Sequence, residues 1–108
     1  MLWTMAVAFC FTGIVMGQEI TGSIVGSVRD VNGAAVAGAN VTISDPTKGG
    51  VVIRSLTTND GGEFSAPNLT ISTYDVSVEA PNFKKSVSKG IKVDVGQRRT
   101  VDLTLAAG

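Results

Sequence analysis

The sequence predicts an all-β domain, a seven-stranded antiparallel β-sandwich behind a leader segment. Three observations predict it. Apolar residues recur with period two in short segments, turn-forming residues return about every 8–12 positions, and no segment keeps an apolar period of 3.6. Each strand then has one apolar face, so two sheets must pack face to face to hide those faces. A chain of 108 residues bounds the result at one domain.

The leader comes first. Residues 2–17 read LWTMAVAFCFTGIVMG, and no charged side chain appears before Glu19. A spanning helix needs about 20 apolar residues, and this stretch is shorter and interrupted by glycine. It fits the apolar part of a secretory signal, with Val15 and Gly17 before the cut and Gln18 as the new N-terminus. Residues 1–17 are therefore expected as a signal peptide and 18–108 as an exported mature domain. Such a signal normally opens with Lys or Arg, so the native start is expected a few residues upstream of Met1. The bulky Phe9 before Cys10 argues against a lipidated cysteine.

The strands follow in order. From Gly22 to Asp30, Ile24, Gly26 and Val28 share one face, while Ser23, Ser27 and Arg29 share the other. Asn32-Gly33 marks a turn. Ala39, Val41 and Ile43 repeat the alternation until Asp45-Pro46 stops it, and Lys48-Gly49-Gly50 connects onward. Val51 to Thr58 is rich in β-branched residues. Asn59-Asp60-Gly61-Gly62 is the strongest hairpin signal in the chain, because Asp and Gly tolerate positive φ. Glu63 to Ala66 is expected as a short strand around Phe64, broken at Pro67-Asn68. Tyr74, Val76, Val78 and Ala80 form the next set, and Pro81-Asn82 turns the chain. Val87, Ile91, Val93 and Val95 suggest one strand interrupted near Gly90. Gly96-Gln97 turns again, and Val101, Leu103 and Leu105 close the series with Thr100, Asp102 and Thr104 facing water.

Composition narrows the chemistry. The chain is 44% hydrophobic and 17% charged, too apolar for a disordered segment. There is no histidine, and Cys10 is the only cysteine. The commonest general base is missing, and so are the commonest soft-metal ligands. No serine has a histidine to activate it, and Lys85-Ser86 and Ser88-Lys89 resemble alternating exposed strand positions. Asn59, Asp60 and Glu63 lack the spacing of a calcium loop and suit a turn. Gly61-Gly62 does not open a helix as a phosphate cradle would. No catalytic, cofactor-binding or metal residue is expected, and the chain is not expected to be an enzyme.

Charge is unevenly spread. Glu19 to Glu79 holds seven acids against Arg29, Lys48 and Arg54. Lys84 to Asp102 holds six bases, Lys84, Lys85, Lys89, Lys92, Arg98 and Arg99, against Asp94 and Asp102. A basic end can meet an anionic surface or simply be solvated. Phe83 is the only aromatic there, which argues against stacked nucleic-acid bases.

Three blocks, GSIVGSVRDVNGAAVAGANVTI, TTNDGGEF and STYDVSVEAPNFKK, resemble the carboxypeptidase regulatory-like domain over about residues 21–106. Gly26, Asp30, Gly33, Val36, Gly38, Ala39 and Val41 carry the first block. Thr58, Asp60, Gly62 and Phe64 carry the second, and Leu69, Tyr74, Val76, Val78, Ala80 and Phe83 the third. The resemblance implies a transthyretin-like Greek-key sandwich, grouped with carbohydrate-binding-like folds. Two positions depart from the family pattern, which has Gly where this chain has Thr73 and Asn82. Asn82 tolerates a left-handed backbone, whereas the β-branched Thr73 resists it, so the turn between Leu69 and Tyr74 is expected to differ.

The resemblance extends to the N-terminal extensions of TonB-dependent outer-membrane receptors, where a signal, this sandwich and a run like VDVGQRRTVDLTLAAG precede plug and barrel. It implies an accessory interaction domain of the bacterial envelope, in the periplasm, at the outer membrane or outside it, as a receptor fragment or a free-standing module. The expected partner is an envelope protein or receptor domain. Carbohydrate binding is the alternative, although Phe64, Tyr74 and Phe83, the aromatics beyond the leader, all suit a core. No nucleic acid and no transmembrane span in the mature chain are expected.

Overall fold

The computed structural model describes residues 20–108. The expected signal segment, its cut after Gly17 and Cys10 lie outside the described residues.

Period-two patterning becomes seven strands: β1 (Thr21–Asp30), β2 (Asn40–Asp45), β3 (Val51–Thr57), β4 (Glu63–Thr70), β5 (Ser72–Glu79), β6 (Ser86–Val93) and β7 (Arg98–Leu105). They form a three-stranded sheet ordered β4-β1-β7 and a four-stranded sheet ordered β3-β2-β5-β6. Ile24 and Val28 from β1, Val41 and Ile43 from β2, Tyr74, Val76 and Val78 from β5, and Leu103 and Leu105 from β7 meet between the sheets, all buried. Each buried Ile, Leu or Val contributes about 1.5–3 kcal/mol relative to exposure. The expected sandwich is therefore present, with its predicted core faces inward. Among the described residues, no helix is long and apolar enough to cross a membrane.

Four strand pairings are antiparallel, but β1 and β7 pair in parallel, from Ser23↔Arg98 to Asp30↔Leu105. Alternation reveals which face is buried, not which way a strand runs. A parallel pair needs a long crossover, and here the rest of the domain supplies it.

Several local expectations give way to bulges and turns. Pro67-Asn68 does not end β4. The register steps from Gly22↔Leu69 to Ile24↔Ala66, so both residues bulge opposite Ser23, with Asn68 at φ 57°. An edge strand tolerates this, because proline there leaves no ladder amide unpaired. The left-handed residue near the β4–β5 turn is thus Asn68, not Thr73. Asn82, at φ 70°, does take the left-handed conformation.

The Asn59–Gly62 turn is tight, but the strands beside it do not pair with each other. The Asn59 side-chain oxygen accepts the amides of Gly61 (3.0 Å) and Glu63 (2.9 Å), and Gly62 has φ 73°. The Gly62 carbonyl accepts the Val28 amide at 2.7 Å, which draws β4 onto β1 while β3 stays with β2. The turn therefore passes the chain between sheets. The Lys48–Gly50 connection is the true hairpin, between β2 and β3.

Around Gly90 the frame flips. Val76 faces Ser88 and Tyr74 faces Ile91, so Lys89 and Gly90 bulge opposite Asp75. Gly90 has φ 72°, and its amide donates to the Asp75 carboxylate at 3.1 Å. Ile91 and Val93 are buried as expected, but Val87 is 45% exposed and Val95, beyond the strand, 57%. Ser86 and Ser88, opposite Val78 and Val76, turn toward the intersheet side and are half-buried rather than alternating on the exposed face.

Candidate functional site

Four strands border the sheets: β4 and β7 on one, β3 and β6 on the other. Edges expose unpaired backbone groups, and proteins usually blunt them. β3 carries a bulge at Ile53, and the Arg54 guanidinium donates to the Ile53 carbonyl (3.1 Å) and to the Asn68 carbonyl of β4 (3.2 Å). That contact closes the β3/β4 side. β4 adds Pro67 and its bulge, and β6 adds the Gly90 bulge.

β7 has none of these devices. It runs eight residues against β1 without a register shift. The Ser23 amide donates to the Gln97 carbonyl at 2.8 Å, with Ser23 opposite Arg98. In a parallel ladder alternate residues bond the neighbour, so Arg98, Thr100, Asp102 and Thr104 turn their amides and carbonyls away from β1. Past Leu105 the edge is sealed: the Ala106 carbonyl accepts the Lys84 amide (2.8 Å), and the Gly108 amide donates to the Asn82 carbonyl (2.9 Å).

β6 packs beside β7, and the six bases of the C-terminal third lie on these strands and their loops. Lys85 pairs with Glu79 at 3.4 Å and Lys92 with Asp94 at 4.0 Å, both at the exposed surface. Such pairs contribute little stability. Among the described residues Lys84, Lys89, Arg98 and Arg99 are exposed and form no ion pair. The uneven charge seen in the sequence is therefore gathered along one flank of the sandwich. Gln97–Leu105 contains no Pro or Gly breaker, which was the available signal for a regular strand, but strand order was needed to see that β7 is an edge.

Next to it, the outer face of the three-stranded sheet forms an open depression of about 360 Å³. Val25, Ser27, Arg29, Glu63, Ser65, Arg98, Thr100 and Asp102 line it. Asp102 is committed within it: its carboxylate accepts both the amide (3.1 Å) and the hydroxyl (2.9 Å) of Ser27.

Among the described residues, the two displaced titratable groups, Asp45 and Tyr74, serve the fold. Asp45 is fully covered; the Thr47 hydroxyl holds its carboxyl below the usual range, helped by the Ser72 hydroxyl at 2.7 Å, the Thr47 amide and Lys48, with burial opposing. Burial pushes the Tyr74 phenol up, and its hydroxyl donates to the Thr70 carbonyl. Asn59 spends its side chain on the turn, and Lys85 is engaged by Glu79, so neither is assembled with a second reactive group.

Two sheets of three and four strands, closed by parallel first and last strands and bearing polar outer faces, define a transthyretin-like sandwich module. The chain belongs to the carboxypeptidase regulatory-like domain family, whose pattern matches residues 23–106. That family is a non-catalytic domain. No curated protein matches the chain. Among solved structures it is similar to the Bacillus anthracis TIE protein, at 25% identity and TM-score 0.67, covering 81% of this chain and 16% of that one. A Bacteroides uniformis protein described as a candidate carbohydrate binding protein is 22% identical with TM-score 0.62, covering 82% and 42%. The catechol 1,2-dioxygenase of Acinetobacter radioresistens is 14% identical with TM-score 0.64, covering 84% and 53%. The last two show the fold alone. The chain spans from 16% to about half of the length of these proteins.

Proposed function

We propose that this domain is a non-catalytic accessory module of the bacterial cell envelope, exported and joined to or associated with a TonB-dependent receptor. It docks an extended segment of an envelope protein against β7. The supporting observation is the bare β7 edge, eight residues in regular register and flanked by uncompensated bases. Main-chain hydrogen bonds along such an edge supply affinity, and alternate side chains supply selectivity. The flanking cations favour an acidic segment.

A photo-crosslinking residue at Thr100, compared with one at Ser65 on β4, tests this in envelope-bearing cells. The expected result is a discrete adduct with an envelope protein from Thr100 and none from Ser65. Equal labelling from both positions, or none from either, overturns the reading.

Carbohydrate binding is the second reading, favoured by the hydroxyl- and carboxylate-lined depression on the outer sheet face. Sugar sites commonly add a stacking aromatic, and the depression has only the rim of the buried Phe64. Saturable heat of binding with an envelope glycan, lost in Thr100→Ala, would put this reading first.

A further inference from the structure

We propose that the fold is a mechanical clamp, in which tension applied between Thr21 and Leu105 is carried in shear by the β1–β7 pair. The inference goes beyond docking and does not depend on what occupies the β7 edge. It rests on where the ends lie. β1 begins at one pole of the sandwich with Thr21, and β7 ends at the opposite pole with Leu105. The first and last strands are direct neighbours and run in parallel. Pulling the ends apart drags β1 toward its start and β7 toward its finish, in opposite directions along a shared ladder. Every β1–β7 hydrogen bond is then loaded at once. Had the strands been antiparallel, both ends would sit at one pole and the bonds would open singly.

Three further features fit this role. The ladder runs from Ser23 to Asp30 without a register shift, whereas three of the four antiparallel pairings contain one. Midway along it the Asp102 carboxylate grips the amide and hydroxyl of Ser27, a polar strut between the two loaded strands. At Gly26 the strands approach so closely that an added Cβ would lie 1.7 Å from the Val101 carbonyl oxygen. The C-terminal residues 106–108, bonded to 82–84, form a latch that load meets before it reaches β7. Forced unfolding is governed by the unfolding rate, so a bond set that must break together sets the barrier.

Single-molecule pulling tests the proposal directly. The full chain, with Cys10→Ser, is held between handle domains by its two ends, and separately by a thiol at Asn32→Cys and the C-terminus. Asn32 follows β1 at the pole where β7 finishes, so the second geometry unzips the pair from that end. At equal loading rate the expected unfolding force is severalfold higher through the two ends than through Asn32→Cys. Equal forces in the two geometries overturn the proposal. Asp102→Ala is expected to lower the end-to-end force while leaving the unzipping force unchanged. A variant with unaltered end-to-end force removes the strut, and with it the assignment of load to this pair. Asp75→Ala, which frees the Gly90 amide between β5 and β6, is the control: it lowers thermal stability without lowering the end-to-end force.

Discussion

Thr58 and Ala39 clasp each other twice: the Thr58 amide donates to the Ala39 carbonyl at 2.9 Å, and the Ala39 amide donates to the Thr58 hydroxyl at 2.9 Å. The same hydroxyl donates to the Val36 carbonyl at 2.7 Å. One buried side chain thus fixes the long β1–β2 connection over the end of the core. Thr58→Val keeps the shape and orphans both backbone groups. At about 1–3 kcal/mol per buried orphan, the expected loss is about 2–4 kcal/mol. Urea unfolding checks it: the midpoint should fall at unchanged slope. An unmoved midpoint would mean that the hydroxyl holds nothing.

Gly26 and Gly33 differ in what their missing side chains permit. Gly33 has φ 83° with open space around it, so Gly33→Ala meets only backbone strain of about 1 kcal/mol. A Cβ at Gly26 would lie 1.7 Å from the Val101 carbonyl oxygen, and backbone there cannot yield without parting β1 from β7. Gly26→Ala is expected to cost more than about 4 kcal/mol, the range reserved for severe steric or packing failure. Thermal melting of the two variants side by side should show a small shift for Gly33→Ala and loss of the folded baseline for Gly26→Ala. Similar melting points would refute the close approach.

Much of this was legible in sequence, for a definite reason. Burial on one face imprints period two, so Val41, Ile43, Tyr74, Val76, Val78, Leu103 and Leu105 declared themselves. What stayed hidden was relational. Nothing in Arg98–Leu105 says that its neighbour is β1, or that it runs parallel to it. The Asn59–Gly62 turn carries ordinary hairpin chemistry, and only the bond from Val28 to Gly62 sends the next strand to the other sheet. Bulges are harder to read, because one added residue reverses the frame: the interruption near Gly90 showed in the sequence, whereas nothing marked the bulge at Ile53, and Pro67-Asn68 read as a strand end rather than a bulge. The bare β7 edge shares this fate, because an edge is defined by neighbours it lacks.

Val87 and Ile91 make that frame reversal measurable. Four positions apart, they would share a face in an unbroken strand, yet Val87 is 45% exposed and Ile91 5%. Val87→Thr is expected to stay within about 0.5 kcal/mol of the parent, as surface changes do. Ile91→Thr removes buried hydrocarbon and buries a hydroxyl, at an expected cost of about 2–4 kcal/mol. Chemical denaturation of both variants decides it. Equal losses would place both residues on one face and remove the Gly90 bulge.

Asp45 ties stability to pH. Its carboxyl is held low chiefly by the Thr47 hydroxyl, then the Ser72 hydroxyl, the Thr47 amide and Lys48, against the opposing effect of burial. The folded state therefore prefers the ionised form more than the unfolded chain does, whose Asp titrates near about 3.9. Above that value the contribution is fully present; as pH falls through the lower folded value it is lost, because both states then carry the proton. Asp45→Asn cannot ionise, so its stability should vary less between pH 7 and pH 3 than that of the parent. Tyr74 acts at the alkaline end with the opposite sign. Burial, aided by the Asp45 charge, raises its phenol, so its contribution is present below about pH 10 and lost as pH rises through the folded value. Urea midpoints of the parent and Asp45→Asn across the acid range should converge as pH falls, the parent losing more. Parallel curves would show that the covered carboxylate gains nothing from its hydroxyl partners.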